Sequence, residues 1–423
     1  MYDAIVVGGR VAGSSTAMLL ARAGMNVLVV DRAGFPSDTL STHQVQVPGV
    51  ARLRRWGLLD AVEASGAPPA RHVVFDQGSV VLRGHFPEFE GADAVYSPRR
   101  TVLDAILLDA ARRAGAEVRE NFIVEGLITD GGSVTGIRGG HKGGQTVTEQ
   151  ARVVIGADGK HSMVAARAGA APYKETPSLT GAFYTYWEGV PLRGGELYGR
   201  ERRQFGAWPT NDGLTLTFMC WPIAEFDDFR SDVEGHFLRT ADLAGDLGER
   251  LRAGRRVERF RGSPDLPNAV RTPHGPGWAL VGDAGLVMDP ITGQGIGHAF
   301  GDAELLSQAL EAGLGGSRPL DQAMAEYQAT RDRERTPMYE MTLELASYSR
   351  SALEGEILFG AIAKSQERID QFLGAITGAV PLDEFFSSRS IMRMVGLRGM
   401  AKLAGARMRA SRDKGRKAEL VPA

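Results

Sequence analysis

Cysteine is nearly absent from this chain of 423 residues, since Cys220 is the only one. A single thiol excludes an intrachain disulfide framework and any cysteine-rich zinc or iron–sulfur site. Cys220 lies in the apolar run of residues 218–221, which favours buried packing over a reactive thiol. The 8 histidines show no spacing typical of metal ligands, so we expect no metal.

Long apolar runs are also absent. No stretch approaches the roughly 18–20 apolar residues that a bilayer-spanning helix needs. The first residues read as a strand and lack the basic region and cleavage site of a signal peptide. The composition, with 43% hydrophobic and 24% charged residues, is typical of globular proteins. We therefore expect a cytoplasmic protein without a membrane span.

Basic charge is concentrated at the C-terminus, although the net charge of the chain is only −2. From Arg389 onward there are ten basic and two acidic residues. Such a tail can contact an anionic membrane surface. More commonly it is a solvated helix end, and the apolar residues at 391–403 form no single stripe. We expect the solvated end and no nucleic-acid partner, and leave peripheral membrane contact as the alternative.

The first nucleotide-binding motif is the glycine-rich stretch of residues 7–13. It follows a predicted strand over 2–7 and opens a predicted helix over 12–23, and an apolar strand over 25–30 completes a βαβ unit. Glycines at such a turn let backbone N–H groups face a pyrophosphate. Asp31, at the end of the second strand, can accept hydrogen bonds from an adenosine ribose. Arg10 replaces the second glycine of the usual pattern and can bind phosphate through its guanidinium.

Two further motifs occur later in the chain. Residues 154–162 end a strand with Asp158-Gly159, and residues 280–284 end another with Gly282-Asp283. Pro290 and the Gly293-Gln294-Gly295 turn then open a long helix, whose N-terminus can face an anion. Three such motifs in one order indicate a dinucleotide-binding domain.

The remaining patterns predict an α/β fold in which the Rossmann-like domain is discontinuous. We predict helices near 48–58, 100–114 and 294–313, a hairpin near 71–83, and strands at 116–129, 133–137, 145–149, 151–156 and 278–282. Residues 178–222, rich in Thr and aromatics, predict an antiparallel sheet. The predicted units are residues 1–177 and 271–330 for the nucleotide domain, 178–270 for an inserted substrate-binding sheet domain, and 331–423 for a helical C-terminal region.

Together the three motifs resemble those of FAD proteins of the para-hydroxybenzoate hydroxylase type, the class A flavoprotein monooxygenases with a glutathione-reductase-type FAD fold. The resemblance spans roughly residues 2–315. It implies that FAD contacts the following residues: Gly8, Gly9, Arg10, Ala12, Gly13, Asp31, Arg32, Arg100, Val124, Asp158, Gly159, Gly282, Asp283, Pro290, Gly293, Gly295 and Ile296. Here Asp283 would bind the ribityl chain, and Gly295-Ile296 would meet the N1 and O2 side of the ring.

The same resemblance implies candidate catalytic residues. Pro290 would lie beside the flavin ring edge, and His43 occupies the place of the family's mobile segment. His43 could hydrogen-bond flavin or substrate, or be solvated. Aromatic side chains of the predicted second sheet are typical of core, but alternation along a strand lets some of them line a substrate pocket. The candidates are Tyr184, Tyr186, Trp208 and Trp221.

The reaction implied by the resemblance is NAD(P)H- and O2-dependent hydroxylation or epoxidation of an aromatic or polyene small molecule through a flavin hydroperoxide. The alternative is a prenyl or alkene reductase of the same fold, such as a geranylgeranyl reductase, or a flavin dehydrogenase. Residues 205–209 match the reductase motif Tyr-x-Trp-x-Phe-Pro only partly. The Trp-x-Trp-x-Ile-Pro signature of flavin halogenases is missing. A non-enzymatic prenyl-protein carrier is disfavoured by the intact Pro290 to Gly295 segment.

Overall fold

The computed structural model describes the backbone of residues 1–418 and the side chains of residues 1–406. The basic stretch beyond residue 406 thus lies outside the described side chains. The strands are β1 (Tyr2–Val7), β2 (Val27–Val30), β3 (His72–Asp76), β4 (Val81–His85), β5 (Glu117–Arg119), β6 (Phe122–Asp130), β7 (Ser133–His141), β8 (Val147–Gly156), β9 (Pro172–Thr176), β10 (Thr180–Glu188), β11 (Gly195–Arg200), β12 (Arg203–Pro209), β13 (Thr215–Pro222), β14 (Arg255–Arg256), β15 (Arg261–Ser263), β16 (Asn268–Arg271), β17 (His274–Gly275), β18 (Trp278–Leu280) and β19 (Leu286–Val287).

Helices make up most of the remaining chain. They are α1 (Val11–Arg22), α2 (Val47–Arg55), α3 (Leu59–Ala64), α4 (Arg100–Arg113), α5 (Met163–Arg167), α6 (Phe226–Ser231), α7 (Val233–Ala241), α8 (Leu247–Ala253), α9 (Gly295–Leu314), α10 (Leu320–Ala346), α11 (Ala352–Ile362), α12 (Gln366–Thr377), α13 (Leu382–Phe385) and α14 (Ser388–Ala418). A residue with non-helical backbone angles, Gly396, interrupts α14. Within the described residues, no helix is both long and apolar enough to cross a membrane.

The first sheet carries the predicted nucleotide-binding unit. Its order is β17-β18-β8-β1-β2-β5, and β18, β8, β1, β2 and β5 pair in parallel. In β1, Ala4 and Val6 pack on one side, while Ile5 and Val7 pack on the other. Because both faces of a parallel sheet are covered, its strands are continuous apolar runs, as the sequence shows. On one side α1 packs between α4 and α9, and the hairpin of β6 and β7 covers the other.

The second sheet has the order β14-β10-β13-β12-β11-β3-β4, with β15 also paired to β10. Its hairpin of β3 and β4 comes from the segment that we had assigned to the nucleotide domain. Val73 of β3 pairs in parallel with Gly195 of β11. The second sheet is therefore built from two separate segments, and the boundary predicted at residue 178 misses the first. Local patterns predicted the hairpin itself but carry no information about which distant strand it joins.

Smaller differences from the predicted elements have local causes. The strands predicted at 145–149 and 151–156 are one strand, β8, because Gln150 continues the extended backbone. The C-terminal helices form as predicted, and α12 packs on β4. A Cβ atom on Gly84 of β4 would lie 2.5 Å from Oδ1 of Asp370. That close approach brings the C-terminal helices over the second sheet.

Candidate active site

The glycine-rich turn after β1 lies at the carboxyl edge of the first sheet. A Cβ atom on Gly13 would lie 1.7 Å from the carbonyl oxygen of Gly8, so α1 must start against the strand end. Gly8 has φ +108°, a conformation that favours glycine. No side chain caps the N-terminus of α1. Its first N–H groups are therefore available to an anion.

Asp31 closes this turn from the end of β2. Its Oδ2 atom accepts a hydrogen bond from the Gly9 N–H at 2.6 Å, and its Oδ1 atom accepts one from the Ala33 N–H at 2.7 Å. Each carboxylate oxygen can accept a second hydrogen bond. Asp31 can thus hold the turn and still bind a ribose hydroxyl. The neighbouring Arg32 is exposed.

The Gly282-Asp283 turn meets the first turn across a small gap. Gly282 has φ +61°, and a Cβ atom there would lie 2.8 Å from Cβ of Ala12. Asp283 is exposed at the cleft surface, and its carboxylate has no hydrogen-bond partner among the described residues. The low-polarity surroundings of the cleft raise the pKa of Asp283, and Arg100 opposes that rise.

The N-terminus of α9 faces Asp283. A Cβ atom on Gly295 would lie 4.0 Å from Oδ1 of Asp283. No side chain caps α9, and Gly297 has no atom within 4 Å of its Cβ position. The next residue, Ile296, is buried. The helix therefore presents bare N–H groups beside an unpaired carboxylate.

Arg10 and Arg100 share one carboxylate. Asp104, fully buried, lies 2.7 Å from Nη1 of Arg10, and it accepts two hydrogen bonds from Arg100 at 2.9 and 3.0 Å. Arg10 also donates to the carbonyl oxygens of Ser37 and Asp38. Four protein atoms therefore hold the guanidinium of Arg10, which does not point freely into solvent.

The Asp158-Gly159 motif stabilises its own loop. Asp158 Oδ2 accepts hydrogen bonds from the N–H groups of Met163 at 2.7 Å and Val164 at 3.1 Å, and so holds the start of α5. A Cβ atom on Gly8 would lie 2.3 Å from the carbonyl oxygen of Ala157, so this loop touches the first turn. Val124 of β6 packs against the core on the same side of the sheet.

These features fit a bound FAD. Two uncapped helix N-termini suit the pyrophosphate and the electron-rich edge of the ring system. A Cβ atom at Gly13 would not fit within the first turn, and one at Gly282 would not fit between the two turns. The carboxylates of Asp31 and Asp283 suit the hydroxyl groups of a ribose and a ribityl chain. Among the residues that the structure describes, no cluster of side chains could hold a metal ion.

His43 lies in a buried cluster with two tyrosines, not in solvent. Its Nε2 atom is 2.7 Å from Oη of Tyr186, and its ring meets that of Tyr184 edge to face at 5.2 Å. Burial lowers the pKa of His43 to about 3, helped by the positive charge of Arg100. The imidazole is therefore neutral at pH 7. Its Nδ1 atom is buried and has no partner among the described residues.

A short turn carries Pro290 to the start of α9. The buried Asp289 accepts hydrogen bonds from the Ile291 N–H at 3.0 Å and from Oγ1 of Thr180 at 2.7 Å. Burial raises the pKa of Asp289 to about 6. Gln46 donates weakly to the Gly293 carbonyl at 3.4 Å. Asp289 therefore fixes the turn to β10 of the second sheet.

A cavity of about 1230 Å³ adjoins this turn. It lies between the second sheet and the C-terminal helices, and Gln44 and residues 290–293 line one part of it. Trp208 of the predicted pocket residues lines it, and so does Pro290, which is predicted to lie beside the flavin ring. Tyr184 and Tyr186 are turned into the His43 cluster. Trp221 does not reach it, because strand alternation places its ring on the opposite face of the second sheet, against Phe229.

Three residues of this site escaped the sequence reasoning: Gln44, Asp104 and Asp289. Asp289 had a usable signal, since an Asp-Pro pair favours the start of a turn. Asp104 had a weaker one, as it stands four residues after Arg100 on one helix face. Gln44 had none, because a glutamine in a loop has no pattern that predicts burial.

Comparison with known proteins places these observations in a family. A family model described as "FAD binding domain" matches residues 1–342. The chain is 25% identical over 342 residues to tryptophan 2-halogenase from Chondromyces crocatus, covering 77% of this chain and 64% of that protein. It is 33% identical over 180 residues to the probable electron transfer flavoprotein-quinone oxidoreductase YdiS of Escherichia coli K12, covering 40% of this chain and 39% of that protein. The chain thus spans less than two thirds of the length of either relative.

A match that covers more of the relative's own length is to a reductase. The chain is 30% identical over 337 residues to digeranylgeranylglycerophospholipid reductase 2 from Methanothermobacter thermautotrophicus, covering 74% of this chain and 79% of that protein. Among solved structures, the myxobacterial chondrochloren halogenase CndH has a TM-score of 0.74 at 24% identity, covering 96% of this chain and 97% of that one. PqsL, a probable FAD-dependent monooxygenase from Pseudomonas aeruginosa, has a TM-score of 0.69 at 21% identity, covering 87% and 98%. At these identities the structural likeness confirms the predicted α/β fold.

Proposed function

We propose that this chain, which belongs to the FAD binding domain family, is a monooxygenase of the para-hydroxybenzoate hydroxylase type. Its family and relatives make it an FAD-dependent oxidoreductase. In this proposal NAD(P)H is the reductant and O2 the oxidant. The substrate is an electron-rich small molecule that is hydroxylated or epoxidised. The FAD contacts are those given above, with Asp283, the α9 N-terminus and the Pro290 turn nearest the ring.

One observation carries the proposal, namely the position of the cavity. Gln44 and residues 290–293 line it beside the N-terminus of α9, and the second sheet and α10–α14 close it on other sides. Its buried lining is apolar or aromatic at residues such as Phe86, Phe359 and Phe372. An oxygenating site needs such a lining, because water decomposes activated oxygen species.

The residues of this chain would divide the work as follows. FAD, when bound, accepts electrons from NAD(P)H and activates dioxygen. The bare N–H groups at the start of α9 would stabilise negative charge on the ring system. Asp283 would bind ribityl hydroxyls, and Asp289 would hold the Pro290 turn in place. His43, neutral and hydrogen-bonded to Tyr186 of the second sheet, would hold its own loop in place.

Labelled dioxygen tests the proposal. The FAD-loaded protein is given NAD(P)H, 18O2 and candidate aromatic or polyene substrates. We expect label in the product and about one reductant consumed per oxygen atom inserted. Asp283→Ala serves as a control that should lose activity in parallel with FAD. Conversion that proceeds equally well without oxygen would overturn the monooxygenase assignment.

A prenyl or alkene reductase is the second candidate, favoured by the 30% identity to the digeranylgeranylglycerophospholipid reductase. The mostly apolar buried part of the cavity also suits a prenyl chain. An anaerobic assay with a polyprenyl substrate and reduced FAD protein distinguishes the two. Saturation of a double bond without oxygen would support the reductase. We do not propose a halogenase, although some relatives are halogenases, because the Trp-x-Trp-x-Ile-Pro signature is missing from the sequence.

A further inference from the structure

Three lining residues of the cavity have buried polar atoms without a partner among the described residues. They are Nε1 of Trp208, Oε1 of Gln44 and Nε2 of Gln77. The side chains of Trp208 and Gln44 are 3% and 4% exposed, whereas Gln77 is half-buried. A buried donor or acceptor that stays unpaired costs stability, so native proteins pair nearly all of them. The atoms of the two more deeply buried residues, Trp208 and Gln44, therefore indicate the hydrogen-bonding groups of the cavity's occupant.

The packing of Trp208 defines the direction of its indole N–H. A Cβ atom on Gly195 would lie 2.0 Å from Cζ3 and 2.5 Å from Cε3 of Trp208. The benzo edge of the indole is thus pressed on β11, and Nε1 is on the opposite edge of the ring. An indole nitrogen only donates. Its partner must be an acceptor, such as a carbonyl oxygen.

Gln44 supplies the complementary group. Its Nε2 atom donates to Oγ of Ser97 at 2.8 Å, and the Ser97 carbonyl in turn accepts a hydrogen bond from Oγ1 of Thr210 at 2.6 Å. The amide is therefore held at one end, and Oε1 remains as an acceptor. Its partner must be a donor, such as a hydroxyl or an N–H group.

The charge of the lining restricts the occupant further. The charged residues of the cavity wall are partly or fully exposed, and several are paired, as Arg200 is with Asp76 at 3.0 Å. The buried part of the described lining carries no charged side chain; it consists of Gln44, Gln46, Val73, Phe86, Trp208, Phe218, Ile291, Gly293, Leu358, Phe359, Phe372, Thr377 and Leu403. A formal charge placed there would lose its hydration without gaining a counterion.

We infer that the cavity takes a bulky, uncharged, mostly apolar molecule that presents a carbonyl-type oxygen to Trp208 and a hydroxyl or N–H group to Gln44. The cavity volume of about 1230 Å³ includes the part beside Pro290 and Gly293 that the flavin ring would share, and the remainder is left for this molecule. This inference rests on the proposed function only in taking the cavity as the substrate site.

The Trp208 contact is tested by binding, without turnover. Anthraquinone and anthracene have the same three-ring shape, but only anthraquinone has carbonyl oxygens. Equilibrium dialysis against the FAD-loaded protein should show anthraquinone bound about 5- to 10-fold more tightly than anthracene. Trp208→Phe should remove that preference by lowering the affinity for anthraquinone to that for anthracene, and retained binding of anthracene reports an intact cavity.

Trp187→Phe is the matched control. Trp187 donates to Oγ1 of Thr217 at 2.8 Å and packs on the opposite face of the second sheet, so the carbonyl preference should persist.

The single-ring ketone acetophenone should bind roughly tenfold more weakly than anthraquinone, because it buries less apolar surface.

A second pair of probes tests Gln44. 9-Anthracenemethanol, which has a hydroxyl donor, should bind several-fold more tightly than 9-methylanthracene. Gln44→Met should abolish this difference, whereas Gln371→Met, at an exposed position of α12, should preserve it.

Equal affinities for the oxygenated and oxygen-free probes in the unaltered protein would overturn the inference, as would a preference that survives both Trp208→Phe and Gln44→Met. Failure of the proposed function gives a different result. Retained probe preferences with no oxygen incorporation would reject the monooxygenase and leave the binding inference standing.

Discussion

Nη1 of Arg10 lies 2.7 Å from Oδ2 of Asp104, so the arginine of the glycine-rich turn is bound to a carboxylate on α4. The same carboxylate holds Arg100 in the first turn of that helix. The Asp104 carboxylate thus connects the turn after β1 to the start of α4, and Arg10 links both to the loop at residues 37–38. The two arginines are kept beside the predicted cofactor site whether or not they touch phosphate.

Removing that carboxylate is expected to destabilise the protein strongly. Asp104 is fully buried and the Arg100 side chain is only 10% exposed, so Asp104→Ala leaves a buried cation unpaired. We expect a loss of about 3–5 kcal/mol in the free energy of unfolding, measured by urea denaturation. Asp109→Ala breaks an exposed pair with Arg113 at the same i,i+4 spacing on α4 and should cost under about 1 kcal/mol. Equal losses would contradict the assigned role of burial.

Arg10 is also expected to approach FAD. A crystal structure with FAD bound should show its guanidinium within about 6 Å of a phosphate oxygen, the reach of a contact through one water. Its four hydrogen bonds to protein atoms come from Nη1 and Nη2, so the Nε–H group is left for this contact. A larger separation would assign Arg10 to the loop at 37–38 alone.

Asp283 and Asp31 should differ in what their removal affects. Asp283→Ala removes an acceptor that has no protein partner among the described residues, so we expect FAD Kd to rise roughly 10- to 100-fold and the apoprotein Tm to stay unchanged. Asp31→Ala should weaken FAD binding and also lower the apoprotein Tm, because Gly9 and Ala33 lose their acceptor. Calorimetric titration and thermal melts measure both. Unchanged FAD affinity in both variants would contradict the cofactor placement.

Gly13 tests the close contact of α1 with β1. In Gly13→Ala the new Cβ atom would lie 1.7 Å from the Gly8 carbonyl oxygen, and the backbone must move. We expect a loss of about 1–3 kcal/mol or more, together with weaker FAD binding. Gly360→Ala, inside α11 with no atom within 4 Å, should instead stabilise the protein by about 0.5–1 kcal/mol. In thermal melts, Gly13→Ala should lower the Tm and Gly360→Ala should raise it.

His43 should make the protein sensitive to acid. Its pKa falls from 6.5 to about 3 on folding, chiefly through burial, so between these values the unfolded chain binds a proton that the native protein does not. Stability is therefore lost as the pH falls from about 6.5 toward 3, by about 2 kcal/mol at pH 5. His43→Gln should flatten this dependence in urea melts at pH 7 and pH 5, and His141→Gln at an exposed strand end should not. Half-buried His298, whose pKa is also lowered, leaves a residual slope in this dependence of stability on pH.

Much of the nucleotide domain was predictable because its determinants are local. The apolar run of β1, the glycines at 8 and 13 and the helix formers after them specify a strand, a turn and a helix without help from distant residues. The same holds for Gly282-Asp283 and the start of α9. Cys220 is buried, as its apolar neighbours predicted.

The sequence by itself therefore determined the βαβ unit, its glycine turns and the family, since these depend on backbone conformation and short-range spacing. Only the tertiary structure decided that the hairpin of β3 and β4 joins β11, that Asp104 binds two arginines and that Trp221 turns away from the cavity while Trp208 faces it. Each of these depends on contacts between segments distant in sequence, whose partners no local pattern specifies. A strand pattern shows that side chains alternate, but the packing of α6–α8 on one face decides which set is left for the cavity.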